Sequence, residues 1–319
     1  MEEFKFGIIG IGPTGGIMAA HLAHAGHELV LIDKLKNHTD EIKRNGLTIT
    51  HFKDFNVKFL PENICVSIEE LQNKEINTLF IAVKASYLKD ILPQIKKVVN
   101  PGTTLISLQN GFDTEELIAE FFGIENSMRI IVNYAGNIIA NGIIRMSFFN
   151  PPNYLGVLTA KAEQKAKKLA EIITKAGLET LFTSDIKKHE WVKCILNTIS
   201  PICVTTGTTM KQTMEFKDTR KLAREILREG IEVARARGID FKPGFIESCM
   251  SYLDKAGHHR VSMEADIKSG NPSEIEFLNG KIIEYGKIEG IPTPYNDIFV
   301  SLIRGCELPR TDENEISDF

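Results

Sequence analysis

The chain has 319 residues, enough for two domains at about 150 residues each. Hydrophobic residues make up 43% and charged residues 25%, the balance of a globular protein, which excludes a disordered, collagen-like or fibrous chain. With 38 basic against 42 acidic side chains the net charge is -4, so the electropositive field of a dedicated nucleic-acid binder is missing and a small-molecule partner is expected.

Short runs rich in Ile, Val and Leu alternate with helical patterns through the first half, as in βαβ units around a buried parallel sheet. Phe4 to Ile9 reads as the first strand. A helix follows from about Pro13 to Ala25, with Pro13 suited to a first turn and Gly26 to a C-terminal cap, and Glu28 to Ile32 is the second strand. Thr78 to Val83 and Thr103 to Leu108 read as further strands, enclosing a helix from Ser86 to Val99 that Asn100-Pro101-Gly102 stops. The apolar runs flanking Asn141-Gly142 read as a hairpin, because that dipeptide accepts the positive φ of a tight turn.

Pro151-Pro152 marks the expected domain boundary. Beyond it the pattern is helical: about Ala160 to Ala176, Asp185 to Thr198, Asp218 to Arg237, Glu274 to Glu289 and Pro294 to Cys306. The charged helix from Asp218 to Arg237 suggests a solvent face with i,i+4 pairs such as Arg228 to Glu232. The fold class expected is therefore α/β, with a Rossmann-type doubly wound sheet over residues 1–152 and a mostly α-helical domain over 153–306. A polar, acidic tail over 307–319 carries no period and reads as a flexible or docking arm.

Five scattered cysteines with no C-x-x-C pair suggest reduced thiols rather than a disulfide framework or a zinc site. His21, His24 and His27 span a helix and the glycine after it, so no metal is expected there. The opening Met1-Glu2-Glu3 has the wrong sign for a signal peptide, and no apolar run approaches the ~18 residues that span a bilayer. A soluble, cytoplasmic protein without a membrane partner is expected.

Gly10-Ile11-Gly12-Pro13-Thr14-Gly15 fits G-x-G-x-x-G and lies between a strand and a helix, where glycines allow backbone to approach a pyrophosphate and the helix N-terminus attracts it. Asp33, at the end of the second strand, is placed to accept hydrogen bonds from a ribose 2'-hydroxyl, which tilts the expectation towards NAD(H). The adjacent Lys34 and nearby Lys36 leave NADP(H) open, since they offset repulsion of a 2'-phosphate.

Lys193 and Asn197 are four apart in an apolar helical segment and project to one side, so they either grip an oxygen-rich ligand together or, for the lysine, snorkel to the surface. Ser273 and Glu276 fit a capping box, while Glu274 is either a first-turn acid or a functional one.

These blocks together resemble the ketopantoate reductase family, NAD(P)H-dependent reductases of 2-oxo acids with a Rossmann domain and a helical C-terminal domain. The likeness reaches about Arg304 and rests on the glycine loop, Ala82-Val83-Lys84, Gln109-Asn110-Gly111, the helix holding Trp191, Lys193 and Asn197, and the Ser262 and Glu274 segments. The resemblance implies that Lys193 is the catalytic lysine, bonding the ketone oxygen and donating the proton, and that Glu274 contacts substrate and lysine. It further implies that Asn110 and Lys84 lie beside the nicotinamide and its ribose, with Asn110 also reaching the substrate, and that Asn197 and Ser262 contact the substrate's hydroxyl and carboxylate ends. The chemistry agrees: hydride arriving at a 2-oxo carbon leaves negative charge on oxygen, and an ammonium with reference pKa about 10.4 is ready to protonate it.

Three positions depart from the family pattern. Ser200-Pro201 replaces Asn-Pro, Met210-Lys211 stands where an Asn-Gly is usual, and His259 replaces an asparagine. The resemblance implies reduction of 2-dehydropantoate to D-pantoate, a step of pantothenate biosynthesis, while the assembly stays open, with a homodimer through the helical second domain one option. The departures leave open a 2-hydroxyacid dehydrogenase with another substrate, and the fold alone permits a silent dinucleotide sensor. His258-His259-Arg260 reads either as extra positive charge for a larger 2-oxo acid or as a solvated loop.

Overall fold

A computed structural model of the protein describes residues 3–52, 54–258 and 260–308. The chain divides into two compact units, Met1–His189 and Glu190–Phe319.

In the first unit the chain runs through β1 (Phe6–Ile9), α1 (Pro13–His24), β2 (Leu29–Ile32), α2 (Lys36–Asn45), β3 (Leu47–Thr50), β4 (Phe55–Val57) and β5 (Ile64–Cys65). It continues through β6 (Thr78–Ile81), α3 (Leu88–Val98), β7 (Thr104–Ser107), α4 (Thr114–Phe122), β8 (Ser127–Ile131), β9 (Tyr134–Ala140) and β10 (Ile143–Phe149). The last elements are β11 (Asn153–Val157), α5 (Glu163–Lys175), β12 (Thr180–Thr183) and the start of α6 (Ile186–Asn197).

The main sheet has the order β12-β11-β8-β7-β6-β1-β2-β5 and is parallel except where β11 meets β8. Its central strands are buried at every position because the sheet is covered on both faces. Alternation then divides them, with Ile8 and Leu31 facing the core that contains α1 and α5, and Ile9 and Ile32 facing the core that contains α3 and α4. This is the doubly wound sheet expected, and the strands and helices read from the first hundred residues fall in place with trimmed ends. Gly26, at φ +91°, ends α1 as anticipated.

The sheet does not stop at Pro151-Pro152, however. β11 pairs with β8 and β12, so residues 153–183, expected in the helical domain, extend the first unit's sheet. The proline pair marks passage between sheets, because β9 and β10, the hairpin expected around Asn141-Gly142, belong to a second sheet of order β4-β3-β10-β9. That sheet lies against α1.

The second unit is helical: the remainder of α6, then α7 (Ser200–Thr206), α8 (Met210–Glu215), α9 (Lys217–Ala236), α10 (Phe245–Asp254), α11 (Ser262–Lys268), α12 (Asn279–Glu289) and α13 (Pro294–Cys306). The Arg228–Glu232 pair forms at 2.9 Å. The helix expected from Glu274 breaks into a 3-10 turn, Ile275–Phe277, and α12. The expected capping box is not made, since the Glu276 carboxylate pairs with Arg304 at 2.7 Å while Ser273 Oγ accepts the Ile275 N–H at 3.3 Å. The Ser273 N–H donates to Glu307 at 2.8 Å, which ties the start of the expected tail to the unit. Residues 309–319 of that tail lie outside the described residues. No described helix is long and apolar enough to cross a membrane.

Candidate active site

The crossover rules of a doubly wound sheet put its ligand crevice at the carboxyl ends of the strands, where strand order reverses. Here β1 sits between β6 and β2. Gly10 therefore follows β1, Asp33 follows β2, Lys84 follows β6 and Asn110 follows β7, all at one edge of adjacent parallel strands. The structure thus brings together the residues expected to bind the cofactor.

Each glycine of the loop has its own reason. Gly10 has φ +91°, and a Cβ there would lie 2.9 Å from the backbone after β6. A Cβ on Gly15 would lie 2.0 Å from the Gly10 oxygen, so loop and helix close on one another. A Cβ on Gly12 would meet no protein atom within 4 Å, so the protein's own packing does not demand glycine there. Close approach by a pyrophosphate does, and Gly12 caps α1 with Pro13 and Thr14 in its first turn, so the residues present fit a dinucleotide.

Asp33 has a second use within the protein. Its Oδ2 accepts the Ile11 N–H at 2.7 Å and its Oδ1 accepts the Leu35 N–H at 2.9 Å, so the carboxylate braces the glycine loop. Lys34 Nζ lies over the Tyr87 ring, 4.8 Å from its centroid, in a cation–π contact. Tyr87 follows Lys84 in a short 3-10 turn and carried no signal in the sequence.

A buried network supports the Gln109-Asn110-Gly111 turn. Arg129 of β8, 1% exposed, donates to the Gly111 carbonyl at 2.5 Å, to Thr114 Oγ1 at 2.9 Å and to Glu115 Oε2 at 2.6 Å. Lys187 reaches the other Glu115 oxygen at 3.0 Å. Burial alone would push the Glu115 carboxyl up, but the Arg129 and Lys187 charges and the hydrogen bonds outweigh it and hold it at about 2. A charged residue inside the apolar run Met128 to Ile131 gave no hint of this role.

In the helical unit Lys193 and Asn197 occupy the last two turns of α6, both half-buried. Glu274 is 6% exposed, and Ser262 opens α11 at the surface. The segment after Glu274 is tied to the end of α6 by Asn279, whose Nδ2 donates to the Thr198 carbonyl at 2.9 Å and to Asn296 Oδ1 at 3.0 Å. Buried Glu229 completes the tie by accepting the N–H groups of Tyr295 and Asn296 at the start of α13, an acid at a helix N-terminus.

Of the positions that depart from the family pattern, Ser200 starts α7 and Met210 is buried at the start of α8. His259 lies outside the described residues. Arg260 donates to the Gly207 carbonyl at 2.8 Å and pairs with Glu264 at 3.1 Å, so its charge is met within the protein. His21 Nδ1 contacts the Ala176 carbonyl at 2.9 Å and its ring meets Phe55 edge-on.

Residues 6–172 match the family described as Ketopantoate reductase PanE/ApbA, and residues 185–307 match its C-terminal domain. The 2-dehydropantoate 2-reductase of Pyrococcus abyssi is 28% identical, covering 95% of this chain and 98% of that one, and the enzyme of the same name from Mesorhizobium japonicum is 28% identical over 96% and 98%. Among solved structures, D-mandelate dehydrogenase with NADH and anilino(oxo)acetate superposes with a TM-score of 0.86 at 27% identity, covering 95% of this chain and 98% of that one.

Proposed function

The chain belongs to the ketopantoate reductase family, NAD(P)-dependent oxidoreductases acting on CH–OH groups, and from that premise we propose that it reduces a branched 2-oxo acid to the 2-hydroxy acid, with 2-dehydropantoate the first substrate to test. The observation that carries the reading is the Gly12 cradle at the point where strand order reverses. When bound, NAD(P)H supplies the hydride. Gly10, Gly12, Gly15 and the first turn of α1 receive the pyrophosphate, and Lys84 and Asn110 hold the nicotinamide end.

In this proposal Lys193 bonds the ketone oxygen and gives it a proton as negative charge develops, stabilisation that a preorganised cation supplies best. Glu274 stands as a buried acid that keeps that ammonium charged. Asn197 and Ser262 orient the hydroxyl and carboxylate ends of the substrate. A cytoplasmic location and a homodimer belong to the same proposal: no disulfide joins cysteines among the described residues, and Ile298 and Leu302 expose an apolar edge of α13. Light scattering that gave a monomer would remove the dimer.

A second reading, a dehydrogenase for another 2-hydroxy acid, is favoured by the likeness to D-mandelate dehydrogenase and by Ser200 and Met210. Oxidation of NADH and NADPH with a panel that includes 2-dehydropantoate and phenylglyoxylate separates the two. Tight cofactor binding with no turnover across the panel would favour the silent sensor.

A further inference from the structure

The glycine loop is held from a second side by a histidine outside the family's motif blocks. His38 lies in the first turn of α2 and is 1% exposed. The Gly142 N–H, in the turn between β9 and β10, donates to His38 Nδ1 at 3.2 Å. A backbone N–H can only donate, so Nδ1 carries the lone pair and the proton of the neutral ring sits on Nε2. Nε2 is 3.1 Å from the Ile11 carbonyl and therefore donates to it.

This bond fixes more than one atom. The peptide joining Ile11 to Gly12 is planar and trans, so its N–H is antiparallel to its C=O. Anchoring the Ile11 carbonyl on His38 directs the Gly12 N–H the opposite way, at the residue whose Cβ position is open. The preceding peptide is fixed too, because the Ile11 N–H is held by Asp33. The two braces are linked: Leu35 donates its N–H to Asp33 and accepts the His38 N–H at 2.9 Å.

We propose that His38 is a positioning residue for the dinucleotide, its Nε2–H setting the Ile11–Gly12 peptide so that the Gly12 N–H is presented to the pyrophosphate. The proposal rests on the dinucleotide reading of the glycine loop. It concerns affinity for the cofactor and leaves the chemical step to other residues.

Two near-isosteres separate the roles of the ring nitrogens. His38→Gln places an amide donor near Nε2, whereas His38→Asn keeps an acceptor near Nδ1 and lets the Ile11 carbonyl go unpaired. Dissociation constants for NADH and NADPH, read from nicotinamide fluorescence, should stay within about twofold of wild type for His38→Gln and rise about tenfold for His38→Asn, as expected for one buried acceptor left without its donor. Turnover at saturating cofactor should change little in either. An independent reading needs no variant: long-range proton–nitrogen NMR of the wild type should place the proton on Nε2.

If the wild type binds neither nucleotide, the dinucleotide reading falls and this role with it. If it binds, but the two variants weaken equally or not at all, or the proton sits on Nδ1, the His38 proposal alone is overturned.

Discussion

The buried pair beneath the Asn110 turn offers the sharpest test of the energetics. Arg129→Met removes the guanidinium that holds Glu115 and the Gly111 carbonyl, with a side chain of similar reach. Breaking one side of a buried ion pair typically costs about 3–5 kcal/mol, because the remaining charge stays desolvated. Burial pushes the Glu115 carboxyl up and its partners still hold it below its ordinary range, and because Lys187 stays beside it when Arg129 is gone, the lower end, about 3 kcal/mol, applies. For a unit of this size that is about 6–12 °C in melting temperature, measured by circular dichroism at neutral pH. The sign with pH follows from a folded pKa below the unfolded one: the stabilisation is complete above about pH 4.5 and fades as pH falls towards 2, so variant and wild type should converge in acid. Adding Glu115→Leu should recover much of the loss, since two apolar partners leave no buried charge. A double variant no more stable than Arg129→Met, or a melting temperature within 2 °C of wild type at neutral pH (a margin of about 1 kcal/mol or less), would refute the reasoning.

Lys193→Ala should keep its affinity for NAD(P)H and lose at least about 10²- to 10³-fold in kcat, and an unchanged rate would remove Lys193 from the mechanism. Gly12→Ala should melt within about 2 °C of wild type, because its Cβ meets no protein atom, yet bind NADH more than about tenfold weaker; Gly15→Ala, with a Cβ 2.0 Å from the Gly10 oxygen, should fail in both measurements. Asp33→Ala should weaken NADH and NADPH alike, about tenfold, by freeing two loop amides. A gain for NADPH with NADH unchanged would return Asp33 to the role of a ribose selector.

The sequence was most informative where a residue type has a single local use. The glycine loop, the Gly26 cap and the helix from Pro294 to Cys306 could be read directly, because a positive φ or a proline at a first turn constrains the chain within a few residues. Of the second sheet only the β9–β10 hairpin could be, since β3 and β4 are four and three residues long and β3 joins the sheet through β10, about a hundred positions away. His38 sits in a strongly polar helix, Lys36–Asn45, where a histidine reads as surface, and its burial comes from contacts with Ile11 and Gly142. Arg129 is hidden for the opposite reason: an apolar strand shows no sign that its one cation will be buried against α4. The Ser273 capping box failed because the turn starts at Ile275 with Glu274 at its N-cap, and because Glu307 and Arg304, distant in sequence, take the Ser273 N–H and the Glu276 carboxylate.

The second sheet has a use that follows from where its bonds end. Gly16, which the phosphate motif does not require, would place a Cβ 2.3 Å from Ile144 of β10, and Gly136 of β9 would place one 3.1 Å from Ile17, so α1 and this sheet meet backbone to side chain. Tyr134 at the start of β9 donates its hydroxyl to the Thr14 carbonyl at 3.0 Å, and burial pushes its phenol up, so it remains a donor. Gly142, at the far end of the hairpin, holds His38. One hairpin therefore bears on the glycine loop at both ends, through Thr14 in the first turn of α1 and through His38 on Ile11. A loop that must present N–H groups to an anion cannot satisfy them internally, so its rigidity has to come from its carbonyls and from what lies behind them. The hairpin supplies that backing, which explains why a strand pair outside the doubly wound sheet packs on the helix that opens at the cofactor.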